Sequence, residues 1–246
     1  DLFILSLHIK KHSQRRDWFV NYLRLKTDSP ILSQLPNNFK SAAILLHPFV
    51  QMPLGWEIAK RERPYQHIYP SDQDTLDSGI PVSWGEVMNN SGLDSLKELG
   101  IALADNALNK KYARPDLAEK LHLYSSVTSD FYYPMEDRIS IFLIDDILDI
   151  LRSQGANFLN YIDPLEDRSG TLKITDIKPI EVSDLALSEI MLTDENTEFA
   201  FMSQYDEFTT LFLAKDENIT EIVKRMNCEA IICDNETIAT WYLQKD

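Results

Sequence analysis

The segment RERPYQHIYP, residues 61–70, gathers the side chains best suited to chemistry in this chain. If residues 65–69 run extended, Tyr65, His67 and Tyr69 project to one side at period two, with Arg61 and Arg63 just before them. Guanidinium groups suit an anion, an imidazole titrates near neutrality, and tyrosine rings can wall a planar ligand. Arg61, Arg63, Tyr65, His67 and Tyr69 therefore form a candidate ligand-binding set, with no catalytic role assigned. The alternative is a proline-bracketed loop whose tyrosines pack on the domain while its charges are solvated. No partner acid and no glycine-rich turn accompanies the segment, which counts against the site.

A second feature, this one acidic, lies in ISIFLIDDILDIL, residues 139–151, where Asp145 and Asp146 sit among large apolar side chains. Positions 145, 146, 149, 152 and 153 follow i, i+1, i+4, i+7, i+8, the stripe of one helical face. Ile144, Ile147, Leu148 and Leu151 fall on the other side. The spacing predicts Asp145, Asp146 and Asp149 on the solvent face, with Asp149 positioned to pair with Arg152. Neighbouring residues diverge by about 100° around a helix, so the two acids do not converge on one ion.

Other reactive types are sparse. His8 and His12 make the one i, i+4 histidine pair, read as a surface pair because no carboxylate or thiol ligand stands near. His122 lies beside Leu121 and Leu123 and reads as flanking a core. Cys228 and Cys233 bracket a strand-like EAII; an odd separation sends them to opposite faces, and the span is too long for a disulfide. Their spacing is not that of a zinc site, and reduced cysteines fit a cytosolic protein. No dinucleotide fingerprint, P-loop, nucleophile elbow, HExxH or CxxC occurs, so the reading carries no metal and no cofactor.

Around these residues the periodicity predicts a helix over 15–25 (Trp18, Tyr22, Leu25) and a strand or short buried helix over 42–47. Residues 61–81 read as extended and loop-like. Ser83 with Glu86 makes a capping box for a helix ended by Gly92. Helices follow over 93–112, with a Leu96, Leu99, Leu103, Ala107 stripe, and over 114–126, with Pro115 at its first position. Beyond Gly155, residues 157–163, 170–177, 198–204 and 207–214 are strand-like. Residues 216–227 read as a helix capped by Asn218, and 229–234 as a strand covered on both faces. The last strand–helix–strand order resembles a βαβ unit with parallel strands. The fold class is α+β (mixed α/β), helix-rich in its N-terminal half and sheet-rich in its C-terminal half. Residues 1–29 read as an arm or helix and 30–246 as one domain.

The 246 residues carry a net charge of −15, unevenly placed. Residues 1–123 hold 15 Lys and Arg against 14 Asp and Glu; residues 124–246 hold 9 against 25. Such a balance argues against nucleic-acid binding, which needs a basic surface. It is either a solvated acidic face or a docking surface for a basic protein. The apolar LFILSL, residues 2–7, is too short for a signal or a membrane span, so the expected setting is cytoplasmic with no membrane partner.

FYYPMEDRISIFLIDD (131–146), DEFTTLFLAKDE (206–217), CEAIICDNETIATWYL (228–243) and NFKSAAILLHPFVQMPLGWE (38–57) together resemble a family of uncharacterised bacterial proteins found in Bacillus-type organisms. The likeness spans roughly residues 30–243 and implies one soluble bacterial domain with no assigned activity and no catalytic motif to carry over. Two classes of function stay open. One is a cytosolic binding protein, immunity-type among the options, whose acidic half covers a basic partner. The other is an enzyme or small-ligand binder built on residues 61–69.

Overall fold

A computed structural model describes residues 22–36, 38–105, 108 and 110–244. The elements run β1 (Ser41–Leu46), β2 (Phe49–Gln51), α1 (Trp56–Lys60), α2 (Asp72–Ser78), β3 (Ile80–Val82), α3 (Trp84–Ser91), α4 (Leu96–Ala104), α5 (Pro115–Val127) and β4 (Phe131–Tyr132). They continue with α6 (Ile141–Ser153), β5 (Phe158–Asp163), β6 (Arg168–Lys173), α7 (Pro179–Ser183), β7 (Met191–Asp194), β8 (Phe199–Ser203), β9 (Thr209–Ala214), α8 (Ile219–Val223) and β10 (Ala230–Ile232). The class is mixed α+β, with the strand-rich half at the C-terminal end.

The larger sheet has seven strands in the order β10-β1-β9-β8-β7-β5-β6, and the smaller has the order β3-β2-β4. Every described strand neighbour is antiparallel. Period two then sorts the side chains of the large sheet onto its two faces. Ala42, Ile44, Leu46, Met202, Leu211 and Leu213 join Trp84, Val87, Leu99, Leu117 and Leu121 in one core. Ala43, Leu45, Phe201, Phe212 and Ala214 join the α6 residues Ile144, Ile147, Leu148 and Leu151, with Ile219 and Ile222 of α8, in the other. All six residues of β1 and of β9 are buried, so these antiparallel strands carry the near-continuous apolar runs more usual in parallel sheets.

Local chemistry sets the helix ends. Ser83 accepts the Glu86 amide (3.1 Å) at the start of α3, and Gly92 closes it at φ 70°, a left-handed conformation that costs glycine little. Ser95 does the same for α4 through the Glu98 amide, and Pro115 occupies the first turn of α5. Residues 42–46 resolve as strand, in β1, and His47 lies just beyond its end.

Several expectations change. Residues 61–81 are not wholly loop: Ser71 and Asp74 form a complete capping box that starts α2. β7 carries no clear alternation and goes unread in the sequence, because all four of its residues are buried. Tyr22 to Leu25 are irregular rather than helical, while Tyr22, Leu23 and Leu25 pack on the first core; Trp18 and the rest of 15–21 lie outside the described residues. α8 is one short turn of helix, and Asn218 supplies no side-chain cap. β9 and β10 both run antiparallel to β1, hence parallel to one another, but they are not neighbours. β1 lies between them, since a strand apolar on both faces gains most where both its edges are bonded. β10 is therefore an edge strand, half-buried, with Ile232 40% exposed, and not one covered on both faces.

Candidate functional site

The short helix α1 is held from outside. Asp130, at φ 57°, accepts the amides of Gly55 (2.7 Å) and Glu57 (2.8 Å), satisfying donors that a helix start leaves open. This aims Glu57 back along the 61–69 segment. Its Oε1 accepts from Arg61 Nη2 (2.7 Å) and Nε (3.3 Å) and from the Ile68 amide (3.4 Å), and lies 3.5 Å from His67 Nδ1. The Arg61 hydrogen bond holds the Glu57 carboxyl below its usual range. Residues 62–65 form a turn, with the Gln66 amide donating to Arg63 O (3.1 Å), so Tyr65 is not part of an extended run with His67 and Tyr69.

The five candidate residues consequently separate. Arg61, His67 and Tyr69 gather around Glu57 and Tyr132, while Arg63 is exposed and Tyr65, 94% exposed, stands in solvent. His67 keeps 84% of its side chain exposed. Tyr69, though 77% exposed, sets its ring edge-on to Tyr132 at 5.9 Å, and Trp56 does so at 6.0 Å. The Tyr132 hydroxyl is buried with no hydrogen-bond partner among the described residues. Burial, then the charge of Glu57, pushes it up to about 12. A partner acid does accompany the segment, contrary to the expectation. Its signal was the Glu57–Arg61 spacing of i, i+4.

Beside Tyr69 and Tyr132 lies a cavity of about 50 Å³ that also touches Asp72, Tyr133, Arg138 and Ser140. Arg138 Nη2 donates to Asp72 Oδ2 (2.9 Å) and to the Ser183 carbonyl (3.1 Å), and meets Ser183 Oγ at 2.8 Å; Ser183 in turn bonds Asp72. The cavity has room for roughly three or four waters at ~10–15 Å³ each. A planar ligand does not fit inside it.

A roomier recess lies elsewhere, along the first half of α6 and the chain leading into β10. It encloses about 530 Å³ and is walled by Phe142, Leu143, Met226 and Pro81, with Asp145, Asp146, Cys228 and Glu229 among its polar groups. Among the described residues, no Lys, Arg or His lines it. Its volume falls within the ~300–1,000 Å³ of ligand clefts. Glu229 accepts the amides of Trp84 and, at 2.9 Å, Gly85, so it also caps α3 from outside. Asp145 and Asp149 are exposed as the stripe predicts, and Asp149 pairs with Arg152 at 2.8 Å. Asp146 is not fully on the solvent face: it is half-buried, with a hydrogen bond from the Asn227 backbone. Burial and then the charges of Asp145 and Asp149 raise its pKa, against that hydrogen bond.

Neither thiol is poised as a nucleophile. Burial pushes both Cys228 and Cys233 up to about 12, whereas reactivity needs a thiolate. They are unbridged and, as the odd spacing requires, belong to the cores on opposite faces of the sheet. His122 is exposed on α5, and His8 and His12 lie outside the described residues. His47, which the sequence did not single out, is fully buried with Nε2 2.8 Å from Thr210 Oγ1 and Nδ1 3.3 Å from Met135 O. Desolvation lowers its pKa to about 4. Among the described residues, no group of three His, Cys, Asp or Glu side chains is arranged to hold a metal, and no helix is long and apolar enough to cross a membrane.

The chain belongs to the family described as "Protein of unknown function (DUF2711)", which matches residues 27–243. It is 45% identical over 225 residues to "Uncharacterized protein YwbB" of Bacillus subtilis (strain 168), an alignment covering 91% of this chain and 99% of that relative. No solved structure matches.

Proposed function

We propose that this is a binding protein whose recess beside α6 and β10 accepts a basic partner. One observation carries the reading: a cleft of ligand-binding size holds Asp145, Asp146 and Glu229 and, among the described residues, no cationic side chain. Apolar walls give such a cleft contact area, and like charges held in it raise the gain from a cation that enters. The −16 balance of residues 124–246 supplies a longer-range attraction of the same sign. A cytosolic setting belongs to this reading, supported by two unbridged cysteines. The test is calorimetric titration with a lysine-rich oligopeptide at low salt. Asp145→Asn with Asp146→Asn is expected to weaken binding, as is added salt. Binding indifferent to both aspartates overturns it.

A second reading, a small-ligand site at residues 61–69, draws on the orphaned Tyr132 hydroxyl beside Glu57 and Arg61. Here an anionic or planar ligand would displace the exposed Tyr69 ring and meet Arg61 and His67, with Arg63 and Tyr65 at the solvent edge. A screen of aromatic carboxylates by NMR tests it: shifts confined to these residues and Tyr132 support it, and their absence rejects it.

A further inference from the structure

The two edges of the large sheet are finished differently. β6, at one end, is exposed along much of its length and carries Arg168, Gly170 and Lys173, the charged and irregular chemistry that discourages another strand from pairing. β10, at the other end, is Ala-Ile-Ile, with no charge, proline or glycine. Its bonding pattern follows from register. Cys233 donates to Ala42 O (3.0 Å) and Leu46 donates to Glu229 O (2.9 Å), so residues 229, 231 and 233 bond β1. Alternation in an antiparallel ladder then turns the N–H and C=O of Ala230 and Ile232 outward. Among the described residues, none bonds these outward groups.

This open edge is continuous with the acidic recess, since Cys228 and Glu229 line the recess and lead directly into Ala230. We propose that β10 accepts an extended, basic segment of a partner protein as an added strand, with cationic side chains of that segment seated against Asp145, Asp146 and Glu229. The inference rests on the proposed function and adds its geometry. Main-chain bonds to an edge supply affinity, and pockets reached by alternate side chains supply selectivity. Charge selects the occupant. A second copy of this chain pairing β10 to β10 would bring two sets of these acids, with Asp234 at the strand's end, against each other; a lysine- or arginine-bearing strand is attracted instead.

The probe is the peptide Val-Lys-Val-Lys-Val-Lys, capped at both ends, with two derivatives N-methylated at either alternate set of residues. N-methylation deletes donors on one edge of the peptide and leaves its charge intact, so the protein needs no alteration. Amide exchange by NMR is expected to be fast at Ala230 and Ile232 and slow at Cys233 in the free protein, with the first two becoming protected when the peptide binds. One of the two methylated derivatives is expected to bind about tenfold more weakly, the loss of one to two net backbone hydrogen bonds. If both bind like the parent and Ala230 and Ile232 stay unprotected, while the two aspartate substitutions still weaken binding, strand addition is overturned and the acidic recess survives as the seat of a basic partner. No binding of any probe overturns both. Protection of Ala230 and Ile232 that rises with protein concentration alone means a second copy takes the edge, which also overturns the proposal.

Discussion

A buried histidine and a half-buried glutamate give the folded protein opposed responses to acid. His47 has a folded pKa of about 4 against an ordinary 6.5, so as pH falls the unfolded chain takes up a proton first. Its stability contribution is complete above pH 6.5 and drains away toward pH 4, by about 3 kcal/mol. Urea denaturation at steps from pH 7 to 4 should show that slope, and His47→Gln should flatten it, at a cost in stability at pH 7 because Thr210 loses a well-placed partner. Glu207 behaves oppositely: burial first, then Asp206 and Glu136, raise it from 4.5 to about 8. The folded state holds a proton that the unfolded chain has released, so stability falls as pH rises through this interval. Glu207→Gln is expected to raise the urea midpoint at pH 8 and to leave it nearly unchanged at pH 4.5. Asp149→Asn, by contrast, removes an exposed ion pair and should shift stability by no more than ~0.5 kcal/mol. The stripe made Asp145 and Asp149 legible in the sequence, because helical spacing alone decides which way a side chain faces. Asp146 and His47 were not legible in the same way, since each is defined by chain distant in sequence: Asn227 and Thr210.

Among the elements, β9 and β10 separate most sharply. Leu211 in β9 is buried and bonded on both sides, so Leu211→Ala should cost roughly 2–5 kcal/mol in chemical denaturation. Ile231→Ala, in the half-buried edge strand, should cost less than half as much; equal costs would contradict the strand order. Helix α4 makes a different kind of contact. A Cβ on Gly100 would sit 2.7 Å from Tyr242 Cβ, so Gly100→Ala should destabilise by about 1–3 kcal/mol through overpacking despite better helix propensity. A stabilised variant would mean that the closing Trp241–Leu243 turn gives way easily. Capped helices and alternating strands were readable because their signals lie within a few residues. Ser83 and Pro115 stand where the helix starts demand them. The position of β1 was not readable, since six consecutive buried residues state that a strand is covered and not what covers it. The short β10 misled for the same reason: an apolar run looks alike in the middle of a sheet and at its edge.

For the molecule as a whole, residues 30–246 are proposed as one domain, expected to unfold in a single calorimetric transition with matching van't Hoff and calorimetric enthalpies. Two separated transitions would argue that the small β3-β2-β4 sheet and its helices melt apart from the rest. The placement of β1 also bears on how the protein is made. Leu46 pairs with Thr209, 163 positions further along the chain, and Ala43 pairs with Ile232. On a ribosome adding ~5–20 residues per second, β1 leaves the exit tunnel roughly 10–30 s before its first hydrogen-bonding neighbour exists. Throughout that interval Ser-Ala-Ala-Ile-Leu-Leu is an unclaimed, uncharged sticky segment of a nascent chain. Translation arrested before residue 209 should therefore yield a product that clings to chaperones or precipitates, and release past residue 232 should cure it, because the last strands synthesised close over one of the first.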